Sequence, residues 1–185
     1  MARPIKILGF CGSLRAGSYN KAALKVADEM KPTDMALELA ELGDFPLYNA
    51  DVQAKGFPAP VERVAAQIRE ADGLLFVTPE YNFSVSGVLK NGIDWLSRLS
   101  PQPFDDKPVA IMGAAAGALG TGRAQYELRR ICVFLNMHPL NKPEVFIGAA
   151  HTKFDAAGKL TDEPTREFIK QLMVALDAWT RRLKP

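Results

Sequence analysis

Cysteine and histidine are scarce in this chain, with two residues of each among 185. Cys11 and Cys132 lack the spacing of a CxxC motif and lie in apolar surroundings, so we expect two buried free thiols rather than a disulfide. The two cysteines and two histidines are scattered along the sequence and do not form the ligand set of a tetrahedral zinc site. No metal is therefore predicted.

An excess of charge of one sign is also missing. The formal net charge is +2 and no run of lysine or arginine forms a basic arm, so nucleic acid is not an expected partner. No apolar stretch reaches the roughly 18 residues that a membrane-spanning helix needs, and the N-terminal MARPIKI does not match a signal peptide. We expect a cytoplasmic protein that forms a single domain over residues 1–185.

What the chain does contain is an alternation of apolar runs and helix-period segments. Strands are predicted at 5–11, 35–40, 73–78, 108–114 and 143–148, and helices near 20–31, 60–71, 87–98, 121–135 and 161–183. Continuous apolar runs such as GLLFVT indicate strands that are covered on both faces, as in a parallel sheet. The predicted fold is α/β, a doubly wound five-stranded parallel sheet in the flavodoxin-like order 2-1-3-4-5.

The same pattern makes three local predictions. The last helix should begin at an N-cap Thr161 and bury one stripe, formed by Phe168, Leu172, Leu176, Trp179 and Leu183. Residues 41–59 should form a surface loop that ends at a helix with Pro60 near its first position. The spacing leaves open whether Trp95 belongs to the core or to an interface.

The loop after the first predicted strand, GSLRAGSYN at 12–20, is rich in small and polar residues. A loop of this kind directs backbone N–H groups and a helix N-terminus at an anion. Ser13, Ser18 and Asn20 add hydrogen-bond donors, and the planar guanidinium of Arg15 matches a phosphate. Neither GxxxxGK(S/T) nor GxGxxG is present, so a monophosphate is favoured. In the alternative interpretation, Ser18 or Asn20 only caps the helix and Arg15 is a solvated charge.

A second loop, TPEYNFSVSG at 78–87, follows the most apolar strand. Tyr81 and Phe83 offer flat apolar surface and the loop amides offer donors, which together suit a planar ligand with polar edges. Tyr81 is expected to contact that ligand. For Phe83, the sequence favours equally a contact with the ligand and a role in covering the end of the core. Ser86 is the predicted N-cap of the following helix.

A third loop, GAAAGALGTGR at 113–123, either allows close approach to its backbone or forms a mobile turn. Arg123 should lie in the first turn of the next helix, beside the crevice. In the predicted strand order, all three loops leave the carboxyl edge of the sheet. They should therefore line one site.

Two of these segments, GSLRAGSYN and PEYNFSVSGVLKNGIDWLSR, closely resemble motifs of the NADPH-dependent FMN reductase family, in particular its bacterial chromate and quinone reductase branch. The likeness continues through GRAQYELRR and NKPEVFIG. The resemblance implies a flavodoxin-like fold, non-covalent FMN, NADPH or NADH as co-substrate, and a homodimer or homotetramer. It also implies FMN-phosphate contacts from Ser13, Arg15, Ser18, Tyr19 and Asn20, and contacts with the ribityl chain and isoalloxazine from Pro79, Glu80, Tyr81, Asn82, Phe83 and Gly117. Arg123 and Tyr126 match positions that the resemblance associates with subunit contact.

The activity implied by this resemblance is hydride transfer from NAD(P)H to flavin N5, followed by reduction of quinones, chromate, azo dyes or free flavin in a ping-pong cycle. No catalytic side chain is expected, which agrees with the lack of a histidine-based triad or paired carboxylates. A flavodoxin-type electron carrier that does not oxidise NAD(P)H is one alternative, although the net charge of +2 differs from the acidic surface typical of such carriers. A non-redox binding module on the same fold is another, because a fold does not determine function.

Overall fold

Alternating strands and helices occupy the chain in the predicted order, with small shifts at their ends. In the computed structural model, which describes residues 3–184, the strands are β1 (Ile5–Cys11), β2 (Met35–Ala40), β3 (Gly73–Val77), β4 (Glu80–Tyr81), β5 (Ser84–Val85), β6 (Pro108–Ala114), β7 (His138–Pro139) and β8 (Val145–Ile147). The helices are α1 (Tyr19–Met30), α2 (Ala50–Gln53), α3 (Ala59–Glu70), α4 (Gly87–Leu96), α5 (Gly122–Phe134) and α6 (Glu163–Leu183), with a 3-10 turn at Ala150–Thr152. The outermost parts of the predicted domain, residues 1, 2 and 185, lie outside the described residues. No helix within 3–184 is long and apolar enough to cross a bilayer.

The main sheet is parallel and confirms the predicted strand order. Strands β2, β1, β3 and β6 are neighbours in that order. The fifth position is shared, because β7 pairs with the beginning of β6 and β8 pairs with its end. The predicted strand at 143–148 therefore supplies only part of this edge. Sequence reasoning missed β7, a two-residue segment containing a proline, which has no N–H for a ladder and is confined to sheet edges.

Both faces of the sheet are covered by helices, as the apolar strands predict. All five residues of β3 are buried. Leu74 and Phe76 belong to a hydrophobic cluster shared with α3, α4 and α5, and Leu75 and Val77 belong to a second cluster shared with α1 and α6. This arrangement leaves the carboxyl edge of the strands to the connecting loops.

Helix α6 begins one residue later than predicted. Its N-cap is Asp162, whose carboxylate accepts a hydrogen bond from the Thr165 N–H at 2.9 Å. The predicted cap, Thr161, directs both its N–H and its hydroxyl to the Lys153 carbonyl oxygen. Thr161 is therefore engaged by the preceding loop, and the next residue, Asp162, caps the helix.

The buried face of α6 is also rotated from the predicted stripe. Leu172 and Leu176 are buried as expected, whereas Trp179 and Leu183 are only partly buried. Phe168 is half exposed, and Ile169 and Met173 are buried instead. Buried threonines lie at both ends of this face. The apolar pattern does not distinguish Phe168 from Ile169 and Met173, because all three are apolar, and the packing of α6 on the sheet decides which of them are buried.

Residues 41–59 are more ordered than the predicted surface loop. They contain α2 and are fastened to α4, where Asn91 accepts the Tyr48 N–H at 2.8 Å and donates to the Pro46 carbonyl at 2.9 Å. The Trp95 indole N–H donates to the same carbonyl at 2.9 Å. Trp95 is fully buried, so it is a core residue. Pro60 is the second residue of α3, as predicted.

A buried lysine lies at the opposite, amino-terminal edge of the sheet. The Lys107 ammonium donates to the carbonyl oxygens of Ala71 at 2.6 Å and Arg69 at 3.5 Å, at the end of α3. Burial, together with the nearby charge of Lys184, lowers the pKa of Lys107 from 10.5 to about 8. The folded protein therefore loses this proton at a lower pH than the unfolded chain.

This difference predicts a pH-dependent stability. Between the two pKa values of Lys107, about 8 when folded and 10.5 when unfolded, the unfolded state binds a proton that the folded state does not, so the free energy of unfolding rises with pH. Relative to Lys107→Met, the wild type should become more stable from about pH 7 to about pH 10, as measured by urea denaturation. A constant difference between the two proteins over this range would contradict the lowered pKa.

Candidate functional site

Three loops meet at the carboxyl edge of the parallel sheet, as predicted. They follow β1, β3 and β6, which are adjacent, and hydrogen bonds from Gly12 N–H to the Val77 carbonyl and from Thr78 N–H to the Met112 carbonyl join their bases. Between the loops lies a cavity of about 540 Å³, a typical size for a small-molecule site. It is lined by Ser13, Arg15, Ser18, Tyr19, Asn20, Pro79, Glu80, Tyr81, Ala114, Ala115, Ala116 and Gly117.

One end of this cavity has the properties of an anion site. The backbone N–H groups of residues 13–17 have no hydrogen-bond acceptor within residues 3–184. Helix α1 begins directly behind this loop and has no acidic residue in its first turn, so its positive dipole end is not neutralised by its own sequence. Donors and dipole together favour a phosphate or carboxylate at this place.

The polar side chains of this loop have distinct roles. Ser18 is buried and caps α1, its hydroxyl oxygen accepting from the N–H groups of Asn20 and Lys21. The capping role left open by the sequence is therefore real, yet Ser18 also lines the cavity. Arg15 is exposed, and its guanidinium donates to the Gly17 carbonyl at 2.8 Å and lies 5.6 Å from the centroid of the Tyr19 ring. The one cationic side chain that lines this cavity is thus held within the loop.

Asn20 joins two of the loops to each other. Its side-chain nitrogen donates to the Ala114 carbonyl and its side-chain oxygen accepts the Ala114 N–H, both at 2.9 Å. This paired bond connects the start of α1 to the end of β6. Asn20 lines the cavity as predicted, but both polar ends of its side chain are engaged in holding the third loop.

The second loop forms a hairpin from β4 and β5. Tyr81 lines the cavity and is 55% exposed, so its ring is available to a ligand. Asn82 and Phe83 form the turn and line an adjoining cavity of about 500 Å³. Phe83 is 65% exposed, so it does not cover the core, and its contact with a ligand stays a prediction. Ser86 caps α4 as predicted, accepting from the Leu89 N–H.

The two cavities share Glu80, Ala115 and Gly117 and form one groove. Gly117 lies where a Cβ would meet no atom within 4 Å, so the backbone of the third loop is open to close approach. Sequence reasoning named Gly117 but missed the three alanines that precede it. The small-residue composition of 113–123 indicates that this loop can approach a ligand closely, but it does not indicate which of its residues line the groove.

Redox-active or metal-binding side chains do not take part in this groove. Both cysteines are free thiols; Cys132 is buried as predicted, whereas Cys11 is only partly buried. Burial raises the pKa of Cys11, and it raises the pKa of Cys132 to about 12. Residues 3–184 contain no cluster of three or more histidine, cysteine, aspartate or glutamate side chains that could hold a metal ion.

The strand order and the groove define the class of protein. This is a flavodoxin-like α/β fold with a ligand groove at the carboxyl edge of its sheet, as in other doubly wound proteins. The family follows from sequence comparison, because the model of the NADPH-dependent FMN reductase family matches residues 5–152. The chain belongs to that family, and the resemblance found in its sequence is confirmed.

Individual relatives agree with this assignment. The chain is 58% identical to an NAD(P)H-dependent FMN reductase of Pseudomonas aeruginosa and 43% identical to a quinone reductase of Escherichia coli K12, and each match covers the full length of both chains. Among solved structures, the flavoenzyme NAD(P)H:(acceptor) oxidoreductase FerB of Paracoccus denitrificans superimposes with a TM-score of 0.87 at 32% identity, over 96% of this chain and 98% of that one. The likeness thus includes both sequence and fold.

Proposed function

We propose that the protein is an FMN-dependent NAD(P)H oxidoreductase that reduces quinones and related small-molecule acceptors. The observation that carries the proposal is the continuous groove, which has an anion site at one end and a flat, partly apolar opening at the other. FMN matches this arrangement, because it has a phosphate at one end and a planar ring system at the other. Relatives named FMN reductase and quinone reductase support the assignment.

The residues of the groove fit FMN. The N–H groups of 13–17, the Ser13 and Ser18 hydroxyls and the Arg15 guanidinium would hold the phosphate, with Tyr19 and Asn20 beside them. The ribityl chain and isoalloxazine ring would lie against Pro79, Glu80, Tyr81, Asn82, Phe83 and Gly117. The charged side chains of this lining are Arg15, Arg123 and Glu80, and the Glu80 carboxylate is bonded to Arg123 and to the Ala124 N–H. The charge of Arg15 is therefore left to favour an anionic ligand.

FMN, when bound, supplies the hydride and electron chemistry. The chain's own residues bind and orient: the loop at 13–18 fixes the phosphate end, and the hairpin at 80–85 borders the ring end. No side chain of the groove is required to act as a nucleophile. The half-exposed Tyr81 and Phe83 leave this end of the groove open, so NAD(P)H and the acceptor can use the same place in turn. The acceptors that fit such an opening include quinones, azo dyes, chromate and free flavin.

This proposal predicts rapid reduction by NAD(P)H and ping-pong kinetics. Anaerobic mixing of the FMN-loaded protein with NADPH should remove the visible absorption of the flavin, and initial rates with a quinone should give parallel double-reciprocal lines. A flavin that stays oxidised would favour the electron carrier instead. A protein that takes up no added FMN would favour the non-redox module, and intersecting lines would contradict a shared site.

The proposal extends to assembly and location. We propose a single FMN-binding domain that forms a homodimer or homotetramer, supported by the exposed apolar residues Val133 and Phe134 on α5, which are 77% and 80% exposed. Sedimentation velocity at micromolar concentration tests this assembly. Two free thiols support a reducing, cytoplasmic compartment, and fractionation of the source cells tests that location.

A further inference from the structure

The hairpin at the ring end of the groove has a strained tip. Its two turn residues, Asn82 and Phe83, have φ values of 51° and 65°. A two-residue hairpin turn of this kind prefers Asn-Gly, because both positions need a positive φ. Asparagine tolerates that region, but a bulky residue such as Phe83 adopts it only where surrounding contacts enforce it. These contacts are made with helix α5.

Glu80, the first residue of the hairpin, binds the beginning of α5 through its carboxylate. One oxygen accepts the Ala124 N–H at 3.1 Å and the other accepts the Arg123 guanidinium at 3.3 Å. The Glu80 side chain is only 9% exposed. Thr121, at the N-cap position of α5, makes no capping hydrogen bond. Glu80 therefore supplies from another loop the acceptor, and the negative charge, that this helix terminus lacks.

Arg123 connects the base of the hairpin to its tip. Its guanidinium bonds to Glu80 and also lies over the Phe83 ring, 4.0 Å from the ring centroid, within the range of a cation–π contact. Helix α5 is itself packed on the sheet through Leu128 and Cys132. The strained tip is thus held to a rigid element by one ion pair and one stacked ring.

We propose that Glu80 is a positioning residue that acts through Arg123 and Ala124 to fix the backbone of the hairpin at 80–85 where it borders the flavin ring. This inference rests on the proposed function, since it assigns a role to one residue of the same groove. Both carboxylate oxygens of Glu80 are engaged by α5, so its effect reaches the ligand through the hairpin backbone. The phosphate end of the groove, on α1, is built from different residues.

Comparison of FMN with riboflavin, which lacks the phosphate, separates the two ends of the groove. Glu80→Gln keeps the shape of the side chain but removes its charge, and the lost charged hydrogen bonds should raise the dissociation constants of FMN and riboflavin alike, by about tenfold. The ratio of the two constants should stay at its wild-type value. A variant with a general loss of stability would bind normally while folded and would not show this shift. The measurement is quenching of flavin fluorescence by the flavin-free, full-length protein.

A double-mutant cycle tests the route through Arg123. Arg123→Gln leaves the Glu80–Ala124 bond in place but releases the tip of the hairpin. It should therefore also weaken the binding of both FMN and riboflavin. The loss in the double variant should be smaller than the sum of the two single losses, because both changes break the Glu80–Arg123 pair. Thermal unfolding of each variant establishes that the folded protein is being titrated.

Several outcomes would overturn the inference. One is that Glu80→Gln binds both flavins with wild-type affinity, and another is that it loses affinity for FMN alone. A third is that the losses of affinity in the two single variants add strictly in the double variant. If Glu80→Gln does not fold, Arg123→Gln decides alone, and unchanged affinity for both flavins in that variant is a negative result. A wild-type protein that binds neither flavin would instead contradict the proposed function.

Discussion

Replacing Arg15 with alanine should weaken FMN binding by about 10- to 150-fold, because a hydrogen bond to a charged group contributes about 1.5–3 kcal/mol. Riboflavin binding should be unchanged. Arg15 lies in the loop whose N–H groups lack acceptors within residues 3–184, at the start of a helix without acidic residues in its first turn. Its guanidinium, now bonded to the Gly17 carbonyl, needs only to reorient within its own loop to meet a phosphate.

The measurement is titration of the flavin-free protein with each ligand. Arg182→Ala is the matched control, because Arg182 is an exposed arginine near the end of α6, outside the groove. Equal affinity for FMN in the wild type and in Arg15→Ala would remove Arg15 from the site. Equal losses for FMN and riboflavin would place the effect of Arg15 at the ring instead of the phosphate.

Gly113→Ala should destabilise the protein by about 3 kcal/mol, since overpacking in a well-packed region costs about 1–3 kcal/mol and more where backbone must move. A Cβ at Gly113 would collide with the Thr78 carbonyl oxygen and lie 2.5 Å from the Thr121 hydroxyl oxygen. Thr78 opens the second loop and Thr121 precedes α5. The added methyl group would therefore separate the second loop from α5, and FMN affinity should fall as well.

The matched control is Gly87→Ala. Gly87 is the first residue of α4, and a Cβ there meets no atom within 4 Å, so alanine should be neutral or slightly stabilising in the helix. Urea denaturation of both variants gives the comparison. Equal stabilities for the two variants would show that the end of β6 has room for a side chain, contrary to the close packing described above.

The sequence predicted which loops line the groove, because the patterns that indicate these loops are local. The segment 12–20 contains the glycines, hydroxyls and arginine of an anion loop, and its place after an apolar strand and before a helix follows from hydrophobic periodicity. The site residues predicted at 13–20 and 79–83, with Gly117, all line the groove. Their contacts with FMN stay a prediction that the Arg15 and Glu80 variants test.

Long-range pairings were beyond the sequence. Asn20 and Ala114 are 94 residues apart and Glu80 and Arg123 are 43 apart, and no local pattern indicates that either pair meets. The sequence therefore did not indicate that the Asn20 side chain holds the third loop, or that the Glu80 carboxylate accepts hydrogen bonds at the start of α5. The predicted FMN contacts of both residues stay predictions.

The alternation of apolar strands with amphipathic helices by itself determined the class of fold, the order of the main strands and the edge at which the loops lie. It did so because burial on both faces requires continuous apolar runs, and right-handed crossovers leave few topologies. Only the tertiary structure decided how β7 and β8 share one edge, which residue caps α5 and how the hairpin tip is held. Those features depend on side-chain contacts between distant segments, whose geometry exists only after the sheet has formed.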